Sequence, residues 1–178
     1  RNGTAPVTLA RDKPVAQPVL HLALRAMFRA EALGDETLLK QIARLVEMME
    51  TAERPVFYTG GGVINSGPKA SDLLREFVAA TGFPITSTLM GLGAYPASGT
   101  SWLGMLGMHG LYEANLAMHG CDLMINIGAR FDDRITGRIA DFSPNSRKVH
   151  VDIDPSSINK VIRVDVGIIG DIATVLEE

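Results

Sequence analysis

The chain has 178 residues, a formal net charge of -3 at pH 7, 46% hydrophobic residues and 21% charged residues. That length predicts one domain with a core of its own, and the composition excludes a disordered chain and a strongly basic nucleic-acid binder. Cys121 is the one cysteine, which excludes an internal disulfide and a thiolate metal cluster and fits a reducing, cytoplasmic compartment; no apolar run reaches the ~20 residues of a membrane span.

Residues 1–34 read as a lead-in or linker. Pro6, Pro14 and Pro18 keep the first stretch extended, because proline fixes its own φ and restricts the residue before it, and a short helical pattern over 21–33 stops at Gly34. Residues 35–178 carry a regular pattern. Asp35 suits a helix N-cap, and Leu38, Ile42, Leu45 and Met49 follow at helical spacing. Residues 54–59 (RPVFYT) predict a strand that runs into Gly60-Gly61-Gly62. Pro68 opens an amphipathic helix with Ala70, Leu73, Leu74, Phe77 and Val78 on its apolar side and Gly82 as its stop. Residues 84–88 predict a second strand, followed by a glycine-rich loop. A helix over 110–119 leads to a third strand at 122–127, apolar enough to be buried on both faces. Strands at 148–153 and 164–169 complete a set of five, with a last helix after Gly170-Asp171. Strands alternating with helices predict an α/β fold: a three-layer parallel sheet with helices on both faces, Rossmann-like, with right-handed crossovers.

In an open parallel sheet the ligand lies beyond the carboxyl ends of the strands. This chain puts glycines, arginines and carboxylates there, which suit the phosphates and ribose hydroxyls of a nucleotide or dinucleotide. Each piece alone leaves a plainer alternative open. The triple glycine reads as a tight turn or as a phosphate approach, and it departs from G-x-G-x-x-G because Val63, Ile64 and Asn65 follow it. Arg130, Asp132, Asp133 and Arg134 read as a solvated cluster of ion pairs or as a ligand-binding loop. His109 and His119 have no acidic or thiolate partner at ligand spacing and predict no metal site; His119 suits a helix C-terminus, and His150 reads as a packed or surface imidazole within a strand. Met90, Met105, Met108 and Met118 read as adaptable core filler, with Met105 and Met108 also suited to a pocket wall. No nucleophile elbow is present, Cys121 reads as structural, and Asp152 and Asp154 are not read as a catalytic carboxylate pair.

Four stretches taken together carry a resemblance: RPVFYTGGGVINSG (54–67), TGFPITSTLMGLGAYP (81–96), LGMLGMHGLYEANLAMHGCDLMINIGARFDDRITGR (103–138) and VHVDIDPSSINK (149–160). They resemble the central domain of the large, catalytic subunit of the acetohydroxyacid synthase, or acetolactate synthase, family, over about 37–171. The resemblance implies a thiamine diphosphate enzyme that condenses two pyruvates, or pyruvate with 2-oxobutanoate, to a 2-aceto-2-hydroxy acid with release of CO2, in branched-chain amino-acid synthesis. It implies that 35–178 is the middle of three domains and binds FAD without a net redox role. Thiamine diphosphate and magnesium would be held by the flanking domains, in a homo-oligomer with a possible small regulatory subunit. No nucleic-acid or membrane partner is implied.

Carried over residue by residue, Gly60, Gly61, Gly62 and Asn65 match the glycine loop near the FAD, and Thr88 and Leu89 a second strand-end contact. Gly107, Met108 and His109 match a segment beside the flavin and ribityl chain. Gly128, Ala129, Arg130, Asp132, Arg134 and Ile135 match a segment along the pyrophosphate and flavin. Asp152, Ile153 and Asp171 match the adenosine end, and Met108, Asp133 and Arg134 also match positions lining a substrate channel. The family's thiamine diphosphate motif begins Gly-Asp-Gly, whereas Gly34-Asp35 is followed here by Glu36 and Gly170-Asp171 by Ile172. No catalytic residue is therefore expected in this chain, and it is expected to be inactive alone. A related thiamine diphosphate enzyme (an oxalyl-CoA decarboxylase or glyoxylate carboligase) and a nucleotide-binding module without catalysis are the alternatives.

Overall fold

The computed structural model describes residues 36–177. The lead-in over 1–34, its helical pattern and the Asp35 cap lie outside the described residues. Six strands form one parallel sheet: β1 (Pro55–Thr59), β2 (Ile85–Ser87), β3 (Trp102–Met105), β4 (Leu123–Ile127), β5 (Arg147–Asp152) and β6 (Val166–Ile169). Six helices accompany them: α1 (Glu36–Thr51), α2 (Gly61–Asn65), α3 (Pro68–Thr81), α4 (Tyr112–Gly120), α5 (Asp133–Thr136) and α6 (Ile172–Glu177).

The strand order is β3-β2-β1-β4-β5-β6. The chain works outward from β1 to one edge, then returns to the far side of β1 and works outward to the other. The order therefore reverses between β1 and β4, and both strands are buried along their whole length, as their continuous apolar runs require. Phe57, Ile125, Ile127, Val149 and Val151 project to one face, where they pack with Met48 and Met49 of α1, Val63 of α2, Leu74 and Val78 of α3 and Ile172 of α6. Val56, Tyr58 and Met124 project to the other, against Ala114, Ala117 and Met118 of α4 and against Phe131 and Phe142 in the connection to β5. The fold is thus the expected three-layer α/β sandwich.

Local chemistry explains the elements. Pro68 occupies the first turn of α3, where its missing N–H costs nothing, and the helix buries Ala70, Leu74 and Val78 at helical spacing. Gly82 ends it in the left-handed region with φ 68°, donating its N–H to Val78 O at 2.8 Å.

The sixth strand corrects the expectation of five. β3 reads WLGM and pairs only with β2, at the sheet edge, with a register shift between Ile85 and Ser87. Its Gly104 and its irregular pairing remove the alternation that marks a strand, so the segment reads as part of a glycine-rich loop. No helix connects β2 to β3; a short 3-10 turn over Leu89–Gly91 and a run of turns cross instead.

Candidate functional site

The carboxyl ends of β1, β2, β4 and β5 open into a cleft of about 670 Å³ at the point where the strand order reverses. Five segments build its walls. The β1–α2 turn supplies Gly61, Gly62 and Asn65; the segment after β2 supplies Thr88, Leu89 and Met90; the segment after β3 supplies Met105, Leu106, Met108 and His109. The β4–α5 connection supplies Gly128, Ala129, Arg130, Asp132, Arg134 and Ile135, and the end of β5 supplies Asp152, Ile153, Asp154 and Ser157.

The triple glycine has two separable duties. A Cβ on Gly60 would stand 2.4 Å from Ala129 Cα, and one on Gly62 would stand 2.7 Å from Gly128 Cα. No side chain fits either gap, so the β1–α2 and β4–α5 turns lie back to back only because both positions are glycine. The Gly62 N–H donates to Gly128 O at 2.9 Å across that seam. Gly61 differs: its Cβ would face Met90 Cβ at 3.2 Å, on the cleft side. As the first helical residue it also has no earlier turn to receive its N–H.

Two asparagines, one buried and one half-buried, hold the walls in place. Asn126 lies in β4 with no exposed surface; its amide donates to Ala129 O at 2.7 Å and its carbonyl accepts from Ala129 N–H at 3.0 Å. This pair shapes the turn that presents Gly128 to Arg130. Asn115, in α4, accepts from Gly107 N–H at 2.9 Å and donates to Gly107 O at 3.1 Å. Gly107 itself has φ 99° and sits against Ile135, leaving Met108 and His109 in the cleft.

The lining is chemically mixed. Leu89, Met90, Met105, Leu106, Met108 and Ile135 are apolar, whereas Arg130, Arg134, Asp132, Asp152 and Asp154 carry charge. The Asp132 carboxylate accepts from Arg134 N–H at 3.1 Å, which caps α5 and holds this exposed carboxyl below the ordinary range. The Ser156 hydroxyl and backbone N–H lower Asp154 in the same way. Beneath the floor, burial pushes the Tyr58 phenol far up, with Asp132 adding to the shift; its hydroxyl donates to Arg130 O at 3.3 Å. Cys121 is buried, raised by desolvation and beside Ser143 Oγ at 3.3 Å, which is a structural setting.

Of the residues singled out in the sequence, the cleft gathers all except Gly60, Gly107, Asp133 and Asp171. Gly60 and Gly107 stand one residue behind its lining, in the roles just described. Asp133 faces a second, smaller depression of about 340 Å³ shared with Thr136, Lys160 and Val161. Asp171 lies away from the cleft: it accepts from the Ser66 hydroxyl at 2.8 Å and from Thr174 N–H at 3.2 Å, tying the end of α2 to the start of α6, and these bonds lower its carboxyl. Of the methionines, Met118 is core filler, while Met90 and Met108 are exposed on the rim and Met105 lines the cleft. Sequence reasoning passed over Asn115, Asn126, Leu106 and Ser157, and weighed Asp154 only to set it aside as a carboxylate partner of Asp152. Asn126 had a readable signal: an amide within an apolar, doubly buried strand must find its partners locally. Among the described residues no three His, Cys, Asp or Glu side chains come together as a metal site, and no helix is long and apolar enough to cross a membrane.

Residues 42–178 match the family model described as thiamine pyrophosphate enzyme, central domain. The chain belongs to this family. Within it, the chain is similar to the isozyme 3 large subunit of acetolactate synthase from Escherichia coli K12, 47% identical over 138 residues that cover 78% of this chain and 24% of the relative. The acetolactate synthase large subunit of Haemophilus influenzae is 46% identical over the same shares, and acetolactate synthase of Mycobacterium avium is 45% identical over 139 residues covering 78% and 22%. The chain thus spans about a quarter of the length of the curated relatives it matches. The central-domain assignment agrees with the architecture: the doubly wound sheet and its cleft lie within the matched residues.

Proposed function

We propose that this chain is the FAD-binding central domain of an acetolactate synthase catalytic subunit. The observation that carries the reading is the cleft at the strand-order reversal, lined together by apolar side chains, arginines, carboxylates and the glycines of two turns. The fit to a flavin dinucleotide is chemical. Leu89, Met90, Met105 and Met108 suit a flat, largely apolar ring system; Arg130, Arg134 and the glycine backbone suit a pyrophosphate; Asp152 suits the diol of a ribose. The cleft volume falls within the range of about 300–1,000 Å³ usual for small-molecule sites. FAD there serves as a structural element with no net electron transfer. This chain's residues bind it, orient it and exclude water beneath it.

The condensation of pyruvate with pyruvate or 2-oxobutanoate belongs, on this reading, to the whole cytoplasmic enzyme, a homo-oligomer with thiamine diphosphate and magnesium held outside this chain. Asp133, Arg134 and Met108 would border the substrate channel. The test is a titration of the intact chain with FAD, read by flavin fluorescence, with ADP as competitor, beside an assay for acetolactate. Saturable FAD binding that ADP displaces, without acetolactate formation, is the expected result. ADP binding without FAD binding would transfer the reading to a related decarboxylase or carboligase. Binding of neither, or acetolactate formed by this chain alone, would overturn it.

A further inference from the structure

β5 carries Lys148, His150 and Asp152 at alternate positions, so all three project to one face, and all three are buried. Lys148 is satisfied: its Nζ donates to Ser143 O and Ser146 O, each at 2.9 Å. His150 is not. Its side chain has no exposed surface, and neither Nδ1 nor Nε2 has a hydrogen-bond partner. Buried polar atoms are nearly always paired, so an orphaned imidazole calls for a reason.

The surroundings supply one. The Phe131 ring stands edge-to-face against the imidazole, with centroids 5.2 Å apart, and closes one side. Asn126 on β4 and Gly167 on β6 flank it in register and do not ionise; Ala129 backbone lies beside it. The titratable groups around it are Lys148 and Asp152 on its own strand and Tyr58 on β1, which shares its cross-strand row through Asn126. Of these, Asp152 stands closest to the ring nitrogens, with Oδ2 3.5 Å from Nε2. The other carboxylate oxygen, Oδ1, accepts from Asp154 N–H at 2.9 Å. Asp152 is in turn part of the cleft lining.

We propose that His150 is a positioning residue for Asp152: the neutral imidazole faces Oδ2 from below with Nε2–H while Asp154 N–H holds Oδ1, so the carboxylate meets a ligand diol in one orientation and with its charge uncompensated. Protonation of the ring draws the carboxylate onto a buried cation and withdraws it from the ligand. Ligand binding and His150 protonation therefore oppose each other. Burial lowers the imidazole below its ordinary range, against the opposing pull of Asp152, which keeps the ring neutral at neutral pH. The inference rests on the reading of the cleft as a nucleotide site.

The test is an NMR titration of His150 in the intact chain, free and with ADP, beside ADP affinity measured from about pH 5 to about pH 8. The imidazole pKa should fall on adding ADP, by the reciprocity of linked equilibria. Wild-type affinity should drop about tenfold as the ring protonates, the scale of one charge-assisted hydrogen bond. His150→Gln, which retains an N–H near the Nε2 position, should bind near the wild-type level with no such pH dependence; His150→Phe should bind about tenfold more weakly at every pH. Retention of the wild-type pH profile in His150→Gln, or wild-type affinity in His150→Phe, overturns the inference. Asp152→Asn reads the pair without ligand: removing the carboxylate should lower the imidazole pKa. Nucleotide binding without that shift overturns this inference alone, whereas the shift without nucleotide binding overturns the cofactor reading and leaves only the coupling of His150 to Asp152.

Discussion

Asn126 and Gly62 show how single atoms set the cleft. Asn126 bonds both Ala129 N–H and Ala129 O, and both residues are buried. Asn126→Ala leaves that buried pair unmet, and at roughly 1–3 kcal/mol for such a group the expected loss is about 2 kcal/mol, read as a lower urea midpoint. Gly62→Ala drives a methyl to 2.7 Å from Gly128 Cα, which is backbone and cannot step aside; the expected cost is about 1–3 kcal/mol. Gly61→Ala meets Met90 at longer range, with Cβ at 3.2 Å and the backbone O at 3.5 Å. It should leave the urea midpoint nearly unchanged and weaken FAD binding, because the methyl enters the cleft. Equal destabilisation by the two alanines would contradict the division of roles within the triple glycine. The sequence displayed three glycines but not which of them meets backbone, since that depends on a turn some 65 residues away.

At the scale of elements, strands with uninterrupted apolar runs and helices with Pro and Gly at their ends were legible. β4 reads LMINI and is buried throughout; α3 runs from Pro68 to the Gly82 stop. β3 was not legible, because an edge strand of WLGM is defined by its pairing to β2 and not by alternation. The segment after it is held by α4. Asn115 clamps Gly107 from both sides, and Met108 N–H donates to Arg134 O at 3.0 Å, joining two walls of the cleft. Asn115→Ala should weaken FAD binding severalfold while shifting the urea midpoint less than Asn126→Ala, since Asn115 is partly exposed. A change in stability with unaltered FAD affinity would show that the 107–109 segment does not contribute to the site.

Across the whole molecule, the order of strands gathers residues from nearly a hundred positions of sequence, Gly61 to Ser157, into one crevice. The convergence was legible for the candidates at the ends of β1, β2, β4 and β5, each a recognisable strand; Gly107, Met108 and His109 follow β3 and rested on the resemblance alone. The exceptions follow from the same geometry: Asp171 ends β6, the far edge of the sheet, and is drawn into capping α6 and bonding Ser66. The buried imidazole also affects the entire fold. His150 has its pKa lowered below 6.5 by burial, so the unfolded chain binds its proton at higher pH than the folded one. Stability contributed by the neutral ring should be full above about pH 6.5 and fall as pH drops from there through the lower folded value. Asp171, Asp154 and Asp132 act in a separate, more acidic window: their lowered carboxyls stabilise the fold above the ordinary carboxylate range, and that contribution is lost as pH falls through their folded values. Urea unfolding across pH should therefore show an upper step absent from His150→Gln and a lower step retained by it.

A crystal structure of the chain grown with FAD tests the cleft itself. The expected density has the adenosine ribose at Asp152, the pyrophosphate between the glycine turn and Arg130 or Arg134, and the flavin against Met108. FAD bound elsewhere, or an empty cleft at saturating FAD, would contradict the assignment.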